Sequence, residues 1–234
     1  MSTQRIRISP LGDSGAVITF GREISPDIHR EVMAFSDLIE GDAPEATVEH
    51  VPAFTTVTVF YDPLRSTYED FVVELRALIE RMPAAPTVDE RHVVEIPVCY
   101  GEDLGPDLPF VASHSGLGEA EVVTLHSEPN YLCYMIGFAP GFPYLGGMSE
   151  RIAAPRRESP RDAIPEGSVG IAGNQTGVYP IRSPGGWQLI GRTPLRLFRP
   201  DRDPPTLIQA GDRVRFAQIS RSDYAALLER ENDE

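Results

Sequence analysis

Sixteen of the 20 glycines in this 234-residue chain lie after residue 91, and four lie before it. Glycine loses the most freedom on folding and weakens helix interiors, so long helices are disfavoured in the second half. Short strands joined by tight turns are what remain. Two stretches concentrate the bias: 137–147 (GFAPGFPYLGG) and 164–188 (IPEGSVGIAGNQTGVYPIRSPGGWQ). In both, proline fixes φ and large rings stand between the glycines. Such a stretch makes a rigid, irregular surface with apolar and polar contact points, as a pocket wall requires. It is also the turn chemistry of an all-β domain.

Before residue 91 the pattern is different. Short strands are expected at 5–9 and 15–20, around Pro10-Leu11-Gly12-Asp13. Ser25-Pro26-Asp27 reads as a helix start: a capping serine, proline at the first position, and an acid at the positive end of the dipole. Ile28, Val32, Phe35 and Ile39 follow at helical spacing, and Gly41 is the expected stop. Strands at 46–51 and 55–61 come next, with Val57, Val59 and Tyr61 on one face. Thr67-x-x-Asp70 resembles a capping box ahead of the stripe Phe71, Leu75, Leu78 and Met82. The order ββαββα over residues 1–83 fits a small α+β sandwich with two helices on one face of a sheet. Residues 84–91 read as a linker, from Pro and Ala around Pro86.

Residues 92–220 are expected to form a mostly-β barrel domain. Its strands are placed at 92–100, 131–138, 168–172, 177–181, 187–191, 195–199 and 213–219, with helices at 107–112 and 118–126. The run 131–138 is apolar throughout, which marks a strand buried on both faces. A helix over 223–230 and a frayed acidic tail complete 221–234.

The formal net charge of −14 disfavours nucleic acid and anionic membranes as partners. No run of about 18 apolar residues is present, and the first residues lack the apolar region of a signal peptide. Cys99 and Cys133 form no metal or redox motif, so a cytoplasmic protein with reduced thiols is expected. All 21 basic residues are arginine. That removes every mechanism needing a lysine from this chain: Schiff bases, P-loop lysines and Ser-Lys amidase dyads. Between Arg151 and Arg202 nine arginines stand against Glu158, Asp162, Glu166 and Asp201, a local +5 (9 − 4). Either an anionic ligand or a solvated basic face would account for it.

Gly12-Asp13-Ser14-Gly15 imitates a serine-protease nucleophile segment but has no His or Asp upstream in that family's order, and reads as a hairpin turn. Gly167-x-x-Gly170-x-x-Gly173 is neither a dinucleotide fingerprint nor a P-loop, though its N–H groups could form an anion nest. His126 ends a helix just before the strand that feeds the 137–147 stretch. It is a candidate general base, or a residue capping helix carbonyls. No His, Asp or Glu spacing marks a metal site. Arg156 and Arg157 stand between Pro155 and Pro160, and Arg161 follows Pro160; the three are partly preorganised for an anion or salt-bridged on the surface. Gln175, Tyr179, Arg182 and Gln188 supply polar contacts near the Gly turns, and Trp187 a flat wall.

The motifs GFxPGFxYL at 137–145, Pro155-Arg156, PxGSVxIAG at 165–173, Tyr179-Pro180 and SPGGW at 183–187 resemble the family of B-type subunits of bacterial 5-oxoprolinase. That family is also labelled allophanate hydrolase subunit 1 or kinase-inhibitor protein KipI. The motifs also resemble one half of the carboxyltransferase domain of urea carboxylase. Leu11-Gly12-Asp13-Ser14, Tyr61-Asp62-Pro63, His126-Ser127 and Gly211-Asp212-x-Val214-x-Phe216 extend the match along nearly the whole chain. The resemblance implies an α+β N-terminal domain followed by a cyclophilin-like barrel. It implies a paralogous C-type partner with a related barrel that completes the site, and a further A-type protein. The complex would couple ATP, with Mg, to opening 5-oxoproline to glutamate, and the isolated chain would be inactive. No biotin is carried on this chain. The expected chemical residue is His126. Arg156 and Arg182 are expected anion contacts, Gln175, Tyr179 and Gln188 orienting groups, and Phe138, Pro140, Phe142, Tyr144 and Trp187 the walls for a small carboxylate substrate. The alternatives are a carboxyltransferase half acting on urea-type substrates, and an inhibitor that docks on a sensor histidine kinase.

Overall fold

The structure is a computed structural model that describes residues 5–83 and 93–233. It forms two compact units, one within residues 1–90 and one within 91–234. The linker expected at 84–91 lies outside the described residues.

The first unit runs β1 (Arg7–Leu11), β2 (Gly15–Thr19), α1 (Pro26–Asp42), β3 (Thr47–Pro52), β4 (Thr56–Tyr61) and α2 (Tyr68–Arg81). The sheet order is β1-β2-β4-β3, antiparallel throughout. Ala16, Ile18, Val57, Val59 and Tyr61 bury one face of it under Val32, Phe35 and Ile39 of α1 and Phe71, Leu75 and Leu78 of α2. Both helices therefore pack on one core. Both caps form: Ser25 accepts from the Ile28 N–H, and Thr67 from that of Asp70. Gly41 does not stop α1, which runs to Asp42 and ends at Ala43. The residue before a proline is pushed out of the helical region, and Pro44 does this to Ala43, at ψ 145. The protease-like Gly12–Gly15 segment is the β1–β2 hairpin turn, with Gly12 at φ +59.

The second unit contains β5 (Val93–Tyr100), α3 (Leu108–Ser115), α4 (Glu119–Ser127), β6 (Tyr131–Ile136), β7 (Pro143–Gly146), β8 (Arg161–Ile164), β9 (Ser168–Ala172), β10 (Gln175–Val178), β11 (Ser183–Gly185), β12 (Gln188–Arg192), β13 (Arg213–Gln218) and α5 (Arg221–Asp233). Seven strands close a barrel in the order β10-β7-β6-β13-β5-β12-β9, while β8 and β11 pair apart from it. All barrel pairings are antiparallel except β13 on β5. Alternation along the strands divides inside from outside. Leu145, Ile171 and Ile190 face the inner core, with Val111 and Val122 from α3 and α4. Their neighbours Tyr144, Ala172 and Leu189 belong to a separate outer cluster.

Several boundaries differ from the sequence expectation. The strand expected at 177–181 is β10, ending at Val178 ahead of Pro180. No strand forms at 195–199. Phe198 makes one bridge to Thr206, because Pro204 and Pro205 have no N–H with which to extend a ladder. The apolar run 131–138 stops at Ile136, where the 137–142 turn begins. The C-terminal acids do not fray: α5 reaches Asp233, and Glu231 pairs with Arg199 at 2.5 Å.

Candidate functional site

The outer cluster lies across four neighbouring barrel strands, β7, β10, β9 and β12. Glycines make it possible. A Cβ on Gly177 would stand 2.9 Å from Phe142 Cζ, and one on Gly170 would stand 3.1 Å from Trp187 Cβ. The bare strands let both rings lie against the barrel wall. Phe142 is the hub. Its ring centroid is 4.9 Å from Tyr144, 5.2 Å from Tyr179, 5.4 Å from Trp187 and 5.4 Å from Phe138, all edge-on. Edge-to-face contact sets positive ring edges on negative faces.

Phe138 closes this ledge from above. The 137–142 turn is pinned by Gly137 N–H to the Phe142 carbonyl at 3.1 Å and Phe142 N–H to the Ala139 carbonyl at 3.0 Å. Phe138 takes φ +68 in that turn and is 61% exposed. A bulky residue at positive φ is strained, and an exposed ring gains little burial in return. Pro140 is exposed in the same turn.

A strap at 155–161 borders the ledge. Arg157 N–H donates to the Gly186 carbonyl at 2.7 Å, and Gln188 Nε2 donates to the Pro155 carbonyl at 2.9 Å. Burial raises the Tyr144 pKa, and the Arg156 guanidinium opposes that rise. Burial pushes Tyr179 up to about 12, against the Trp187 N–H bonded to its hydroxyl and the charge of Arg156. Arg156 is itself exposed, and no hydrogen bond or ion pair holds it among the described residues. The face thus presents the exposed ring of Phe138, the half-buried phenol of Tyr144 and an uncommitted guanidinium, with Phe142, Tyr179 and Trp187 buried among them. Phe138, Pro140 and Arg156 are exposed at its rim.

Of the expected residues, Phe138, Phe142, Tyr144, Arg156, Tyr179 and Trp187 come together here. Gln175, opposite Ala172 on β10, sits at the ledge's edge. Gln188 is 3% exposed and serves the strap rather than a ligand. Arg182 is exposed, and among the described residues no hydrogen bond or ring contact ties it to the ledge.

His126 is elsewhere, and the structure does not support it as a general base. It is fully buried in the barrel interior, stacked on Phe216 at 4.5 Å. Nδ1 is 2.8 Å from the Tyr100 hydroxyl and Nε2 is 2.8 Å from Thr176 Oγ1. Thr176 gives its proton to the Gly170 carbonyl at 3.0 Å. It must therefore accept from Nε2–H, which leaves Nδ1 to accept from Tyr100. Both nitrogens are spent, and burial lowers the His126 pKa to about 3. Nor does its side chain cap the helix: the Tyr131 hydroxyl bonds the His126 carbonyl at 2.7 Å. The anion nest at 167–173 also does not form, because Gly167 N–H donates to the Tyr179 carbonyl and Gly173 N–H to that of Ala154.

Tyr100, Thr176 and Asp107 were not legible as the partners that organise these buried contacts. Asp107 precedes Leu-Pro as an N-cap would, yet its side chain makes no capping bond. Its carboxylate binds Arg157 and Arg161.

Residues 6–208 match the family described as the carboxyltransferase domain, subdomain C and D. The chain is 50% identical over 244 residues to the B-type subunit of 5-oxoprolinase from Bacillus subtilis (strain 168), covering 98% of this chain and 100% of that protein. A solved structure of a conserved uncharacterized protein from Pyrococcus horikoshii is 47% identical, with a TM-score of 0.56 over 93% of this chain and 100% of the other. The urea carboxylase of Kluyveromyces lactis shares the fold, at 17% identity and a TM-score of 0.79, over 97% of this chain and 23% of that one. No helix among the described residues is long and apolar enough to cross a membrane. The chain belongs to the carboxyltransferase C/D-subdomain family, in which its half-identical relative is the B-type subunit of a 5-oxoprolinase.

Proposed function

We propose that this chain is the B-type subunit of an ATP-dependent 5-oxoprolinase complex that opens 5-oxoproline to glutamate. The active site is shared with a C-type partner, an A-type protein completes the complex, and the chain alone is inactive. Kinship at 50% identity along the whole relative supports the reading. The single structural observation that carries it is the ledge with Arg156 beside it. A five-membered lactam lies flat on aromatic faces, and its carboxylate is read by a guanidinium. Phe138 and Arg156 are exposed, so a second surface must cover them before water is excluded from the reaction.

A lactam carbonyl is a poor electrophile, and phosphorylating its oxygen supplies the activation that hydrolysis needs. This chain's residues do not fit a triphosphate site. It has no lysine, the Gly-rich loop spends its N–H groups internally, and no acid or His cluster for a metal exists among the described residues. ATP and Mg therefore belong to the complex, and this chain's part is to bind and orient the substrate.

The test is to co-purify the chain with its A-type and C-type partners and follow 5-oxoproline-dependent ATP hydrolysis. Turnover should need all three chains and fall about tenfold or more in Arg156→Ala. A well-formed complex without turnover would refute the reading. It would move the function to carboxyl transfer on urea-type substrates, as the urea carboxylase fold allows.

A further inference from the structure

Asp107 stands at the start of α3, 5% exposed, and its carboxylate gathers three donors. Oδ1 accepts from Arg161 Nη2 at 2.8 Å and Arg157 Nη1 at 3.2 Å, and Oδ2 accepts from the Leu189 N–H at 2.7 Å. The Asp107 N–H returns a bond to the Leu189 carbonyl at 2.8 Å. The residue is thus fixed to β12 by its backbone and to the strap by its side chain. It forgoes its own helix cap to do so.

One carboxylate against two guanidiniums leaves a positive charge in excess. Arg157 Nε and Arg161 Nη1 are buried donors with no acceptor. Arrangements of this kind add little stability over an apolar packing of equal volume. What this one does is fix direction. Arg157 and Arg161 flank the sequence Glu158-Ser159-Pro160, and both are locked to one anchor. Arg156 is the residue immediately before the first lock, and Pro155 before it is held by Gln188. With both sides pinned, Arg156 leaves the strap where its charge acts on Tyr144 and Tyr179.

We infer that Asp107 is a positioning residue: it locks Arg157 and Arg161 so that Arg156 stands ready beside the ledge to bind the substrate's carboxylate. The inference rests on the reading that the ledge takes an anionic lactam. Preorganisation of this kind lowers the ordering cost of binding and touches no reacting atom.

The experiment uses the assembled complex with Asp107→Asn, which keeps the side chain's size and an acceptor for Leu189 but removes the charge that holds two arginines. The KM for 5-oxoproline should rise about tenfold or more, while kcat stays within about threefold. The inhibition constant of 2-pyrrolidone, the same ring without a carboxylate, should not move. If Asp107→Asn fails to assemble, Arg161→Gln removes the closer lock and should give the same split. Equal losses for both ring ligands, or an unchanged KM in both variants, would overturn the inference. A wild-type complex without turnover would instead defeat the reading on which it rests.

Discussion

The inside and the outside of the barrel are made by the same strands and solve opposite problems. Inside, Tyr100, His126, Thr176 and the Gly170 carbonyl pass hydrogen bonds in one direction, and every proton has a destination. Outside, Phe138 holds a strained backbone and an exposed ring, and Arg156 has a charge with no ion-pair partner among the described residues. Buried polar groups must be satisfied or the fold loses stability. Groups that meet a ligand must be left unsatisfied until it arrives. The contrast teaches that the residue with the more reactive side chain, His126, is the one placed for stability.

The strongest way to break this division is His126→Ala. It empties a packed site and leaves the Tyr100 hydroxyl without its acceptor, so about 3–5 kcal/mol should be lost in urea denaturation of the isolated chain. A loss under about 1 kcal/mol would show the interior to be less closed than described.

The next effect depends on pH. Burial holds the His126 pKa at about 3, below the unfolded value of 6.5. The unfolded chain then binds the proton that the folded chain refuses. This contribution is complete above pH 6.5 and is lost as pH falls through the window from 6.5 towards 3, at about 1.4 kcal/mol per pH unit. Subtracting the stability profile of His126→Gln from that of wild type should isolate that slope. Parallel profiles would refute the buried neutral imidazole.

Outside, Gly177→Ala sharpens the comparison. Its Cβ would meet the Pro143 carbonyl at 2.8 Å and Phe142 Cζ at 2.9 Å. About 1–3 kcal/mol should be lost, together with a change in the near-UV dichroism of the ledge aromatics. Phe138→Gly should move stability by less than about 1 kcal/mol, since relief of the positive φ offsets the freer unfolded chain. The same variant should weaken 5-oxoproline turnover in the complex. Unaltered turnover would remove Phe138 from the site.

What the sequence made legible follows from range. Ser25 and Thr67 cap helices within three residues of themselves, and Tyr131 to Tyr134 declare a buried strand by four consecutive apolar side chains. Each ring of the ledge was visible in the Gly/Pro stretches. Strands β8 and β11 were not, because their three or four residues carry no alternation and pair only with each other. His126 looked catalytic because proximity to a motif in sequence is not proximity in space. Its partners are 26 and 50 residues away, and those of Asp107 are 50, 54 and 82 away. Contacts of that span leave no local periodicity to read.

The bare positions beneath the rings have a consequence for anyone moving this surface to another scaffold. Copying Phe142 and Trp187 onto a second barrel would fail wherever the recipient strands carry side chains at the places of Gly170 and Gly177. Ring and glycine form one transferable unit, and a chimera must inherit them as pairs: the aromatic from one strand or turn, the missing methyl from its neighbour.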